Sequence, residues 1–103
     1  MPVTIQRAGR SAADVIAIPA TDGQVVAGAC VLYGGTLCDS SGVAQRVHVH
    51  NGTSASGLHV LGLGASANGQ VNVYFTNGIA CPNGIYVDVL AGTITGSIFY
   101  SMA

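Results

Sequence analysis

Short apolar runs separated by glycine-rich turns fill the chain from Gly23 onward. The cleanest is Val43 to His50. There Val43, Gln45, Val47 and Val49 alternate with Ala44, Arg46, His48 and His50. Successive side chains of a strand point to opposite faces, so this pattern predicts a strand with one apolar and one polar side. Gln24 to Tyr33 reads as a Val-rich strand ending at Gly34-Gly35, and Thr36 to Asp39 continues it beyond a bend or bulge. Leu58 to Leu63 and Val71 to Phe75 read as one pair of strands, joined through Gly64 to Gly69. Ile85 to Leu90 and Thr93 to Tyr100 read as another, joined by a tight turn at Ala91-Gly92.

Asn-Gly occurs at 51–52, 68–69, 77–78 and 83–84, each time between apolar runs. Both residue types tolerate positive φ, which tight turns between twisted strands require. No helix is predicted: Glu and Lys are absent and no long stretch is free of Gly. Residues 1–20 behave differently. They sustain neither period, hold Arg7 and Arg10, and enter a strand only near Asp14 to Ile18, before Pro19. The expected fold is all-β: an antiparallel two-sheet sandwich or jelly roll over residues 21–103, with an extended N-terminal arm over 1–20.

Composition changes this picture in one respect. Of 103 residues, 50% are hydrophobic and only 7% are charged, against about 25% in an ordinary soluble domain. Three Arg, no Lys, four Asp and no Glu leave a net charge of -1. A nucleic-acid partner is not expected, because phosphate binding needs a basic surplus. A membrane is not expected either: the best apolar stretch, Val25 to Tyr33, is short and broken by Gly, whereas a helical span needs about 20 apolar residues. Uncharged polar groups and coverage by partner chains together must replace the missing surface charge. Met1 to Thr4 lacks the pattern of an export signal, so synthesis in a cytosol is expected, with Cys30, Cys38 and Cys81 as reduced, mostly buried thiols.

Candidate chemistry is sparse. His48 and His50 stand two apart on a predicted strand and so share a face, where they can hold one metal ion; His59 is a candidate third ligand. Arg46 on the same face opposes a cation and no Glu is present, so the face is read as an interface, with no metal and no cofactor. The cysteines lack C-x-x-C spacing, and nothing local marks one as a nucleophile. The four scattered Asp do not suggest a glycosidase pair. Gly62-Leu63-Gly64-Ala65 is not followed by a helix or a Lys, so it is no phosphate loop, and Asn51-Gly52-Thr53 reads as a turn. The polar loop 52–57 has hydroxyls suited to sugar, without an adjacent aromatic platform.

The stretches Val47 to Gly57, Asn68 to Phe75, Asn83 to Val89 and Gly92 to Tyr100 resemble small virion structural proteins of tailed bacteriophages, of the head decoration (cement) or head-tail accessory type. The likeness covers roughly residues 43–100 and is one of turns and strands. It implies a non-enzymatic protein made in the bacterial cytoplasm and carried in the virion. Its partners would be the major capsid protein and further copies of itself, as a homotrimer. The interface residues expected are Arg7 and Arg10 in the arm and Arg46, His48 and His50 at subunit boundaries. Alternatives are a tail, neck or fibre accessory protein and a virion-surface carbohydrate-binding module.

Overall fold

A computed structural model describes residues 13–103; Arg7, Arg10 and the rest of 1–12 lie outside the described residues. Eight strands follow in order: β1 (Asp14–Ala17), β2 (Gly23–Val26), β3 (Cys30–Cys38), β4 (Gln45–Asn51), β5 (Leu58–Ala65), β6 (Gln70–Cys81), β7 (Ile85–Ala91) and β8 (Gly96–Met102). They form two four-stranded sheets, ordered β1-β8-β3-β6 and β2-β7-β4-β5. We call these sheet A and sheet B. Every pairing is antiparallel. The pairs β1·β8, β2·β7, β3·β6 and β4·β5 nest inside one another and alternate between the sheets. This is the winding of a jelly roll: one long double ribbon folded over on itself.

The winding corrects several expectations. Gln24 to Tyr33 is not one strand. The chain turns at Gly28 (φ +89°), and β2 and β3 lie in opposite sheets. The expected pairs of 58–63 with 71–75, and of 85–90 with 93–100, do not form, because each connection crosses between sheets. Val43 precedes β4 and is exposed rather than on its buried side. Asn77-Gly78 is no turn but lies within β6. There Gly34 faces Tyr74 and Leu32 faces Ile79, so Phe75 to Gly78 bulge against Tyr33 alone. Gly78 suits the bulge because its φ is +74° and a Cβ would run into Val31 and Tyr33. The bend expected at Gly34-Gly35 is present, as a register shift of β3 against both neighbours.

Leu32, Leu37 and Ile98 of sheet A and Val47, Val49, Leu63, Ile85 and Val87 of sheet B are almost wholly buried and make the centre of the core. Truncating one of them, as in Leu32→Ala, is expected to cost about 2–5 kcal/mol. Cys30 and Cys81 are also buried, as cross-strand partners of β3 and β6, and Cys30 Sγ–H points to the Cys81 carbonyl at 3.7 Å. Burial raises the pKa of both thiols, that of Cys81 to about 11, with Cys30 beside it adding to the rise. Cys38 is exposed. Thiolate is the reactive form, so a thiol reagent at neutral pH should label Cys38 alone in the folded chain and all three cysteines in denaturant. Rapid labelling of three thiols without denaturant would contradict this packing.

Jelly-roll winding gathers the loops at two ends. At one end the segments following β1, β3, β5 and β7 meet. Asp39, itself buried, accepts hydrogen bonds there from Ser41 Oγ (2.6 Å), Ser41 N (2.9 Å), Gly42 N (3.1 Å), Asn68 N (2.7 Å) and Gln45 Nε2 (3.2 Å). Gln45 in turn accepts from Thr95 N at 3.1 Å. At the other end Gln24 Nε2 donates to the carbonyls of Gly52 (3.1 Å) and Asn83 (3.3 Å), tying β2 to the two loops that follow β4 and β6.

Candidate functional site

The two sheets differ in chemistry. Strands β3, β6 and β8 of sheet A contain no Asp, Glu, Lys, Arg or His. The outer face of sheet A instead carries Val15, paired across strands with Phe99, and the stacked rings of Tyr33 and Tyr74, 6.1 Å apart. Val15 is 63% and Tyr74 61% exposed. Sheet B carries Arg46, all three histidines and Asp88.

On β4, Val47 and Val49 point into the core, so His48 and His50 share the outer face as alternation requires. His59 is different. By parity along β5 it belongs with Leu61 and Leu63, which point inward. A bulge intervenes: Val49 faces Leu61, whereas His50 faces His59, leaving Val60 as the extra residue. The bulge turns His59 outward beside the other two, a common use of bulges. The ring centroids are 4.4 Å apart for His48 and His59, 5.5 Å for His50 and His59, and 6.4 Å for His48 and His50. The three imidazoles lie edge to face. Tyr86, facing His50 on β7, approaches to 6.4 Å.

His50 is only 7% exposed. Its Nδ1 lies 3.0 Å from the Gly57 carbonyl oxygen. A carbonyl can only accept, so Nδ1 carries the proton. In the neutral ring Nε2 is then a bare lone pair, and it is buried without a hydrogen-bond partner. The pKa of His48 is lowered, first by burial and then by His59, Arg46 and His50; Asp88, directly opposite on β7, offsets part of this. Gly62 leaves room for the rings of His48 and His59, which a Cβ there would just touch.

The Gly57 carbonyl links this cluster to the loop after β4. Asn51, Gly52, Thr53, Ser54, Ser56, Gly57 and Asn83 line an open polar depression of about 350 Å³. Asn51 Oδ1 accepts from Asn83 N at 3.1 Å, and the hydroxyls of Ser54 and Ser56 bond one another at 2.7 Å.

No family model, no curated protein and no solved structure matches the chain.

Of the expected interface residues, Arg46, His48 and His50 do share one face, with Arg46 exposed. Arg7 and Arg10 lie outside the described residues. His59, a candidate third ligand by sequence, joins the other two histidines, and beside them lie Tyr86 and the Gly57 carbonyl, which no sequence pattern ties to this face. No helix among the described residues is long and apolar enough to cross a membrane.

Proposed function

We propose that the chain is a non-enzymatic capsid decoration protein of a tailed phage, acting as a homotrimer that binds the assembled head and stabilises it. The neutral, aromatic outer face of sheet A is the observation that carries this reading. A face with exposed Val15 and Tyr74, polar groups that are all uncharged (Thr36, Gln70, Asn72, Ser97 and Ser101), and no formal charge on three of its four strands has the uncharged, aromatic-bearing make-up of a surface that packs against protein. Leu58, 70% exposed, and Leu90 and Met102, also exposed, add apolar surface elsewhere. The jelly roll itself is widely used in virion shells, but a fold alone does not assign a function. The likeness of 43–100 to virion proteins supports the same reading. Stabilisation follows from linkage: a ligand that binds only the assembled shell shifts its equilibrium by mass action, by about 2.7 kcal/mol per site at a free concentration one hundred times Kd.

The test is co-sedimentation of the untagged chain with expanded heads that lack it. Saturable binding is expected, together with a higher temperature of head disruption. Tyr74→Glu should abolish both while leaving the melting of the free chain nearly unchanged. Absence of binding, or full binding by Tyr74→Glu, would contradict the reading.

The polar depression at Asn51 to Gly57 and Asn83 favours one second reading, a virion-surface module for host polysaccharide, in which amide and hydroxyl groups would meet sugar hydroxyls. Retention on a polysaccharide column, lost in Asn83→Ala, would distinguish it. A tail, neck or fibre accessory protein would bind at one vertex instead of over the shell.

A further inference from the structure

We infer that His48, His50 and His59 form a site for one borderline divalent transition-metal ion, such as Zn²⁺, Co²⁺ or Ni²⁺, within each chain. Three features point to it together. The first is the lone pair of His50 Nε2, buried without a partner on a ring whose Nδ1 is held by the Gly57 carbonyl. Metal-bound histidines usually have this arrangement, in which the far nitrogen donates to a backbone carbonyl and fixes the tautomer. A buried lone pair with nothing to accept is otherwise an uncompensated cost.

The second is the spacing. Three imidazoles on a tetrahedral Zn²⁺, each with Zn–N about 2.1 Å, place their ring centroids about 5 Å apart. The observed separations, 4.4, 5.5 and 6.4 Å, straddle that value. The third is the β5 bulge, which brings His59 to a face that strand parity denies it.

The rings stand edge to face, and no group of three His, Cys, Asp or Glu among the described residues is already in ligating position. Binding therefore requires the rings to turn. His59 is exposed and has space over Gly62 to do so. His50 is held at Nδ1 by the Gly57 carbonyl, which leaves Nε2 as its free nitrogen. Arg46 opposes the incoming charge from β4, but it is exposed, and Asp88 faces His48 from β7 as a compensating anion. An all-imidazole set without thiolate favours Zn²⁺, Co²⁺, Ni²⁺ or Cu²⁺ over Mg²⁺ or Ca²⁺, which demand oxygen ligands.

The experiment uses the untagged full chain, stripped with chelator and titrated with Zn²⁺ and separately with Co²⁺. Native mass spectrometry should show one Zn²⁺ per chain. Co²⁺ should give the intense visible absorption of a low-coordinate site. Because the chain has only three histidines, His59→Gln should weaken Zn²⁺ binding at least tenfold, and His50→Gln likewise. His59 is exposed, so His59→Gln should melt like the parent chain without metal, which separates ligand loss from misfolding. The inference is overturned by absence of binding at sub-millimolar Zn²⁺, by His59→Gln binding as the parent does, or by one metal per three chains. The last result would place the histidines around a trimer axis. None of these results bears on whether the chain binds heads, so the two readings fail separately.

Discussion

Replacing Gly34 with alanine is expected to destabilise the fold by about 3 kcal/mol or more, enough to remove much of a domain stability of about 5–15 kcal/mol. Two effects combine. Gly34 has φ +135°, a conformation that side-chain-bearing residues avoid at a cost of about 1–3 kcal/mol. A Cβ there would also drive into the backbone of Val73 and Tyr74, with the Val73 carbonyl nearest. Backbone cannot step aside as a flexible side chain can. Gly34 sits at the centre of sheet A, where β3 shifts register against β6 on one side and β8 on the other. The strain would therefore reach both pairings. Chemical denaturation of Gly34→Ala should show a much lower midpoint than the parent, with a loss rivalling that of Leu32→Ala. A midpoint within about 0.5 kcal/mol of the parent, the range of ordinary surface substitutions, would mean that the bulge is elsewhere.

Asp39 should set the acid limit of stability. Its carboxylate takes five hydrogen bonds, from Ser41 twice, Gly42, Asn68 and Gln45, and joins the loops after β3 and β5 to the first residue of β4. These bonds, that of the Ser41 hydroxyl foremost and that of Asn68 N–H next, hold its pKa well below the usual carboxylate range. The unfolded chain, with an ordinary Asp near 3.9, takes up the proton first on acidification. The stabilisation is thus fully present above that value and is lost as pH falls through it toward the lower folded-state value. Asp39→Asn should melt well below the parent at neutral pH, because an amide offers one accepting oxygen where two are used. The gap should narrow steadily from about pH 5 to about pH 2. A gap that stays constant across that range would assign the loss to shape rather than to charge.

How much of this was legible in the sequence differs from element to element. The alternation in Val43 to His50 placed Gln45, Val47 and Val49 inward and His48 and His50 outward, as observed, because a half-buried strand writes its two faces at period two. The all-β class and the two-sheet architecture were legible for the same reason, together with the frequency of glycine turns. Which strands pair was not. Turn residues mark where the chain reverses, but not whether it returns to the same sheet or crosses to the other. In a jelly roll the partner of β1 is β8, settled by packing across the whole length of the chain. Asn77-Gly78 misled because positive φ serves a bulge as well as a turn. His59 could not be placed, since its orientation depends on one extra residue, Val60, whose sequence carries no mark of a bulge. Asp39 was overlooked although Asp39-Ser40-Ser41-Gly42 has the make-up of an Asx turn, the local signal that would have found it.

The two sheets divide the chain's chemistry between them. Strands β3, β6 and β8 of sheet A carry no charged side chain and no histidine, whereas sheet B holds Arg46, the three histidines and Asp88. The central claim is that this sandwich decorates a phage head through the outer face of sheet A. Its most direct test is an electron cryomicroscopy comparison of heads with and without the added chain. Extra density for eight-stranded sandwiches is expected at many equivalent junctions between capsid subunits, in groups of three, with sheet A buried against protein. Unchanged shell density, or added density confined to the tail vertex, would contradict it.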